Sequence, residues 1–101
     1  MEITFKSILN KYILIGITYL DKKGNILELV QFDGKIIEAN ENDGILIERL
    51  DNKEIFSLPP DLSFIKVAEP GEYTLKSTGK IVTNPDFIST LIIEKRRHKN
   101  L

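Results

Sequence analysis

Apolar residues recur along this chain in short runs, and Gly, Asn, Asp or Pro cuts off each run. Within the runs they alternate, the period of a β-strand whose successive side chains point to opposite faces. Tyr12–Leu20 is the first such run. Ile13, Ile15, Ile17 and Tyr19 share one face; Tyr12, Leu14, Gly16, Thr18 and Leu20 share the other. Both faces are largely apolar, which predicts a central strand. Asp21–Asn25 then reads as a turn in which Gly24 supplies a positive φ. Its acids do not have the spacing of an EF-hand loop. A second strand is predicted from Ile26 to Glu38, bulged or bent at Asp33-Gly34.

The rest of the chain continues in the same style. Asn40–Gly44 is the strongest turn signal, followed by a strand Gly44–Leu50 and a return strand Glu54–Leu58. Pro59-Pro60 ends that strand, because neither proline can donate to a ladder. Asp61-Leu62-Ser63 fits one 3₁₀ turn before a short strand Phe64–Val67. Strands are predicted at Glu72–Lys76, Ile81–Thr83 and Phe87–Lys95, with a turn at Ser77–Lys80 and a break at Asn84-Pro85-Asp86. Only the first eleven residues leave a helix open; Ile3, Phe5, Ile8 and Leu9 fit neither period cleanly, and a strand or an irregular lead-in is favoured there. Six or seven short strands at this spacing predict an all-β chain, a small barrel or sandwich.

At 101 residues, 42% apolar and 29% charged, the chain has the size and composition of one globular domain. That domain is assigned to residues 1–95, with a basic tail at 96–101. The absence of cysteine removes disulfides, thiolate metal sites and cysteine nucleophiles. The single histidine, His98, lies in the tail, away from any triad or zinc cluster. No cofactor or metal is expected. The longest apolar run, Tyr12–Leu20, is far short of the ~20 residues of a membrane helix, and a cytoplasmic location is expected.

The net charge of −1 hides an uneven distribution. Residues 21–72 carry twelve acids against six bases, whereas Lys95-Arg96-Arg97-His98-Lys99 is +4 with His98 neutral. A compact acidic surface suits a basic protein partner. The candidate contact residues are Glu38, Glu41, Asp43, Glu48, Asp51 and Glu54. For the alternative, a nucleic-acid-binding small barrel, the candidates are Lys95, Arg96, Arg97 and Lys99. Homo-oligomerisation through an exposed strand edge is also expected, since small barrels rarely close.

Other constellations carry less. Ser77-Thr78-Gly79-Lys80 is not a phosphate loop, because the hydroxyls precede Gly-Lys and no helix follows. Glu69, Glu72 and Asp86 are read as solvated acids rather than as a glycosidase pair. Tyr12, Tyr19, Phe32, Phe56, Phe64, Tyr73 and Phe87 lie in apolar alternation and are read as core rather than as base-stacking platforms.

The stretch Gln31–Ala68 resembles an SH3-like or Sm-like meander: a strand broken at Gly34, the Asn42-Asp43-Gly44 turn, two short strands, and Leu58-Pro59-Pro60-Asp61-Leu62 before a final strand. The chain lacks the tryptophan of peptide-binding SH3 domains, and its acidic middle departs from RNA-binding Sm rings. The second half resembles small, mostly uncharacterised bacterial proteins. The carrying residues are Leu58-Pro59-Pro60-Asp61-Leu62, Pro70-Gly71-Glu72-Tyr73, Leu75, Ser77-Thr78-Gly79, Val82 and Asn84-Pro85-Asp86-Phe87. That resemblance implies a bacterial, single-domain, non-enzymatic protein. With the SH3-like resemblance, the expectation carried forward is an all-β, small SH3-like, partly open barrel of about six or seven strands with a C-terminal β-hairpin, acting as a protein-binding module of the immunity-inhibitor type.

Overall fold

The computed structural model describes residues 2–95. The chain is mostly β. Its strands are β1 (Tyr12–Leu20), β2 (Ile26–Asn40), β3 (Gly44–Arg49), β4 (Ile55–Leu58), β5 (Lys66–Val67), β6 (Glu72–Thr74), β7 (Ile81–Thr83) and β8 (Phe87–Glu94). One turn of helix, α1 (Phe5–Ile8), precedes them, and a 3₁₀ turn Leu62–Phe64 joins β4 to β5. Six strands form one sheet in the order β4-β3-β2-β1-β8-β5, and β6 pairs with β7 in a separate two-stranded sheet.

The central position predicted for Tyr12–Leu20 is observed. β2 runs antiparallel on one side of β1 and β8 runs parallel on the other. Ile13, Ile15 and Ile17 are buried in the main core with Phe32, Ile36, Ile45, Ile47, Leu58, Ile65, Phe87 and Leu91. On the opposite face Leu14 packs with Leu75 and Val82 of the β6–β7 hairpin, flanked by Tyr12, Tyr73 and Ile88. Leu58 from one edge of the sheet and Ile65 beside the other meet in the main core, so the sheet curls around it. It does not close: among the described residues no ladder joins β4 to β5. Of the eight aromatics, Phe32 and Phe87 are fully buried, and the remaining six are partly buried.

Three expectations are corrected. The lead-in contains a helical turn. Thr4 caps it by accepting from the Ser7 N–H, and the Ser7 hydroxyl accepts from the Thr4 N–H. Asn10 then turns left-handed with φ 66°, and its N–H bonds the Ile36 carbonyl. One turn gives too few residues for a 3.6-residue period to register. Next, the hairpin is not terminal. β6–β7 stands apart as a flap, and β8 returns to the main sheet beside β1. Finally, β2 is not broken at Asp33-Gly34. Its irregularities lie opposite Tyr19/Leu20 and at Ile36/Glu38.

Gly34 has a different role. A Cβ there would lie 2.6 Å from Ile47 Cγ2 and 2.7 Å from the Glu48 carbonyl oxygen. The missing side chain lets β3 approach β2. Gly16, by contrast, has open space where a Cβ would sit. Gly34→Ala should therefore destabilise the fold by about 1–3 kcal/mol, the range for overpacking a tight contact. Gly16→Ala should stay within about 0.5 kcal/mol of wild type. Urea midpoints of the two variants check this difference.

Candidate functional site

The six acids assigned to a partner surface do not form one patch. β3 carries a turn at each end, roughly 17 Å apart for six residues of strand. Glu41 and Asp43 lie in the β2–β3 turn, with Glu38 beside it on β2. Asp51 and Glu54 lie in the β3–β4 turn, with Glu48 on β3 next to Lys35 and Ile55.

The two groups also differ in charge balance. Asp51 is held by Arg49, whose guanidinium donates to both carboxylate oxygens at 3.0 and 2.7 Å. That pairing lowers the Asp51 pKa and raises that of Arg49. Arg49 also lies 4.2 Å from the centroid of the Phe32 ring. Glu38, Glu41 and Asp43 are exposed, and none has a cation within salt-bridge distance among the described residues. Their turn is fixed locally. Asn40 Oδ1 accepts from the N–H groups of Asn42 and Asp43 at 3.0 and 2.7 Å, and Asn40 Nδ2 donates to Asp43.

Of the basic run, only Lys95 falls within the described residues. Its ammonium sits 3.7 Å from Glu28 and 5.0 Å from the Tyr19 ring centroid. Arg96, Arg97 and Lys99 lie outside the described residues.

One polar centre escaped the sequence reading. Asp33, on β2, is 1% exposed and is the only buried charged residue among those described. Lys80 donates to Oδ1 at 2.8 Å and to Oδ2 at 2.9 Å, and the Tyr12 hydroxyl donates to Oδ2. Lys80 begins just after the β6–β7 turn, so this cluster ties the flap to the sheet. A second tie lies beside it, where the Lys76 N–H donates to Gln31 Oε1 at 2.6 Å. Leu75 and Val82 close over Leu14 between these anchors. Asp33 looked like a bend because Asp-Gly is a turn dipeptide. Lys80 looked like a turn residue because it follows Ser-Thr-Gly. The available signal was slight, since β2 also carries Glu28 and Glu38: Asp33 follows Phe32 directly in mid-strand, and a carboxylate buried there needs a partner.

Other candidates resolve into structural roles. Asp86 accepts from the Tyr12 N–H at 3.0 Å, and its own N–H donates to the Tyr12 carbonyl at 2.9 Å. Glu69 and Glu72 are exposed. Asp61 caps the 3₁₀ turn by accepting from Ser63, whose hydroxyl and N–H lower its pKa. The described residues hold no group of three His, Cys, Asp or Glu placed to bind a metal, and no helix among them is long and apolar enough to cross a membrane.

The flap ties can be tested separately. Lys80→Ala leaves a buried carboxylate without its cation and should cost about 3 kcal/mol. Tyr12→Phe removes one hydrogen bond to a charged group and should cost about 1.5–3 kcal/mol. Hydrogen exchange should show the β6–β7 amides opening first in both variants. Burial, reinforced by the Asp33 carboxylate, pushes the Tyr12 hydroxyl well above the usual tyrosine range. An unfolded tyrosine ionises near pH 10. The contribution of Tyr12 is therefore complete below pH 10 and is lost as pH rises from there toward the folded-state value. Wild type should lose stability more steeply than Tyr12→Phe between pH 9 and pH 11.5, measured as urea midpoints.

Compared with protein-family models, with curated proteins and with solved structures, the chain matches none of them.

Proposed function

We propose that this chain is a non-enzymatic, bacterial protein-binding module that meets a basic partner through the acidic β2–β3 turn, as an immunity-type inhibitor does. The carrying observation is that Glu38, Glu41 and Asp43 cluster around a turn braced by Asn40, with no countercharge among the described residues. A fixed, unbalanced negative tip steers a basic partner and raises its association rate. The second acidic group suits this role less well, because Asp51 is already paired with Arg49.

The scaffold supports an SH3-like reading. The β2–β3–β4 meander, the 3₁₀ turn after Pro59-Pro60 and the short β5 follow one another as in such barrels. In this chain β8 stands between β1 and β5. The non-enzymatic reading is supported by Asp33, whose two carboxylate oxygens are both engaged in holding the flap. The nucleic-acid alternative gains no support from the one tail residue described, since Lys95 is engaged with Glu28 and Tyr19.

The test is a nuclease-treated pull-down from the source cells, with wild type beside two charge-reversed variants. Glu41→Lys/Asp43→Lys should lose a discrete protein band and, with the purified partner, slow association by roughly tenfold at low salt. Asp51→Lys/Glu54→Lys should retain the band. A band that survives reversal of the β2–β3 turn, or one that disappears with nuclease treatment, overturns this reading.

A further inference from the structure

Beyond the core, the ends of β1, β2 and β8 run on as a three-stranded blade with apolar residues facing water. Ile26 and Ile92 are each 71% exposed, and Leu29 and Ile93 are 42% and 37% exposed. Along one side of this blade the backbone is unpaired. β5 covers only Phe87 and Ile88 of β8, so Ser89–Glu94 has no ladder partner on the side away from β1 among the described residues.

The ladder also fixes which groups point outward. Lys95 donates its N–H to the Leu20 carbonyl at 2.8 Å. By the two-residue period of a strand, the odd-numbered residues of β8 bond toward β1. Thr90, Ile92 and Glu94 therefore turn their N–H and C=O groups to the open edge.

The two edges of the sheet are treated differently. β4 has four residues and is followed at once by Pro59-Pro60. Such features block edge pairing. β8 has no proline and no lysine between Phe87 and Glu94.

We propose that this edge is a homodimer interface, in which β8 of two copies pairs antiparallel about a two-fold axis at Ile92. In that register Ile92 faces Ile92 of the second copy, and Thr90 faces its Glu94. Every outward backbone group of the three residues then finds a partner. A register centred on Leu91 instead sets Glu94 against Ile88, which is already paired with Lys66 of β5. A register centred on Ile93 sets Thr90 against Arg96, beyond the end of β8.

The side chains select a second copy as occupant. On the outer face the row Thr90, Ile92, Glu94 meets its own reverse: hydroxyl on carboxylate, isoleucine on isoleucine, carboxylate on hydroxyl. Glu94 has no ion-pair partner of its own among the described residues. On the core face Leu91 meets Ile93 twice. No like charges oppose each other, and the apolar pairs lie at the centre, as a self-complementary two-fold contact requires. The proposal does not depend on the acidic-turn reading, since β1 and β2 separate β8 from β3 in the sheet.

The chain contains no cysteine, so Ile92→Cys introduces a single thiol. Hydrogen-bonded antiparallel pairs hold their Cα atoms ~5.5 Å apart, within the range a disulfide spans. Under mild oxidation Ile92→Cys should form a covalent dimer at least tenfold faster than Ile26→Cys, which is equally exposed but off the axis. A mixture of Thr90→Cys and Glu94→Cys should cross-link as a heterodimer faster than either variant alone. Light scattering should give wild type the mass of two chains and Ile92→Lys the mass of one, with unchanged circular dichroism. A single-chain mass for wild type at every concentration tested overturns the proposal. So does a dimer that persists in Ile92→Lys with equal cross-linking rates at 92 and 26.

Discussion

β1 has to be satisfied on four sides at once, and the rest of the molecule is arranged to do that. Its backbone needs a ladder on each edge, which β2 and β8 supply. Its isoleucine face needs a core, which the curled sheet, α1 and the 3₁₀ segment supply together. Its other face carries Leu14 and Tyr12, and a six-stranded sheet alone would leave them wet. The β6–β7 flap covers them. A nine-residue strand that is apolar on both faces cannot rest at an edge or on a surface, so it dictates a layer on each side.

The flap is small, and apolar contact alone holds it weakly. Leu75 and Val82 are its only fully buried side chains among the described residues. The ion pair from Lys80 to Asp33 adds direction, because it forms only when the flap lies in one position. This is the use of a buried charge as a locator rather than as a large source of stability. Tyr12 completes the site from β1, so one carboxylate joins the central strand, its neighbour and the flap.

Much of this was legible from residue order. The two-residue period located β1, β3, β4 and β7 to within about a residue, and Pro59-Pro60 marked the end of β4 correctly. The 3₁₀ turn at Asp61-Leu62-Ser63 was legible too, because a carboxylate two residues before a turn N–H readily accepts from it. The parallel pairing of β1 with β8 was not legible. Hairpins announce themselves through the turn between two strands, whereas a parallel ladder between residues 13 and 87 leaves no mark in the intervening chain. Asp33 and Gly34 were misread for a related reason. Local rules treat Asp-Gly as a turn, yet both residues answer to distant neighbours: Lys80 for one and β3 for the other. The separation of the candidate acids into two groups depends on β3 lying between two turns, which composition cannot record.

The parallel ladder has a consequence for how the chain reaches its final form. Ile13 pairs with Phe87, seventy-four residues later. During synthesis β1 can join β2 early, through a short turn, but its other edge has no complement until residues 87–94 have left the ribosome. For most of translation the most apolar strand therefore has one bare side. Long-range closure of this kind is slow, and a bare apolar edge is prone to pairing with neighbouring chains. The nascent chain thus passes through its most association-prone state just before its last strand arrives.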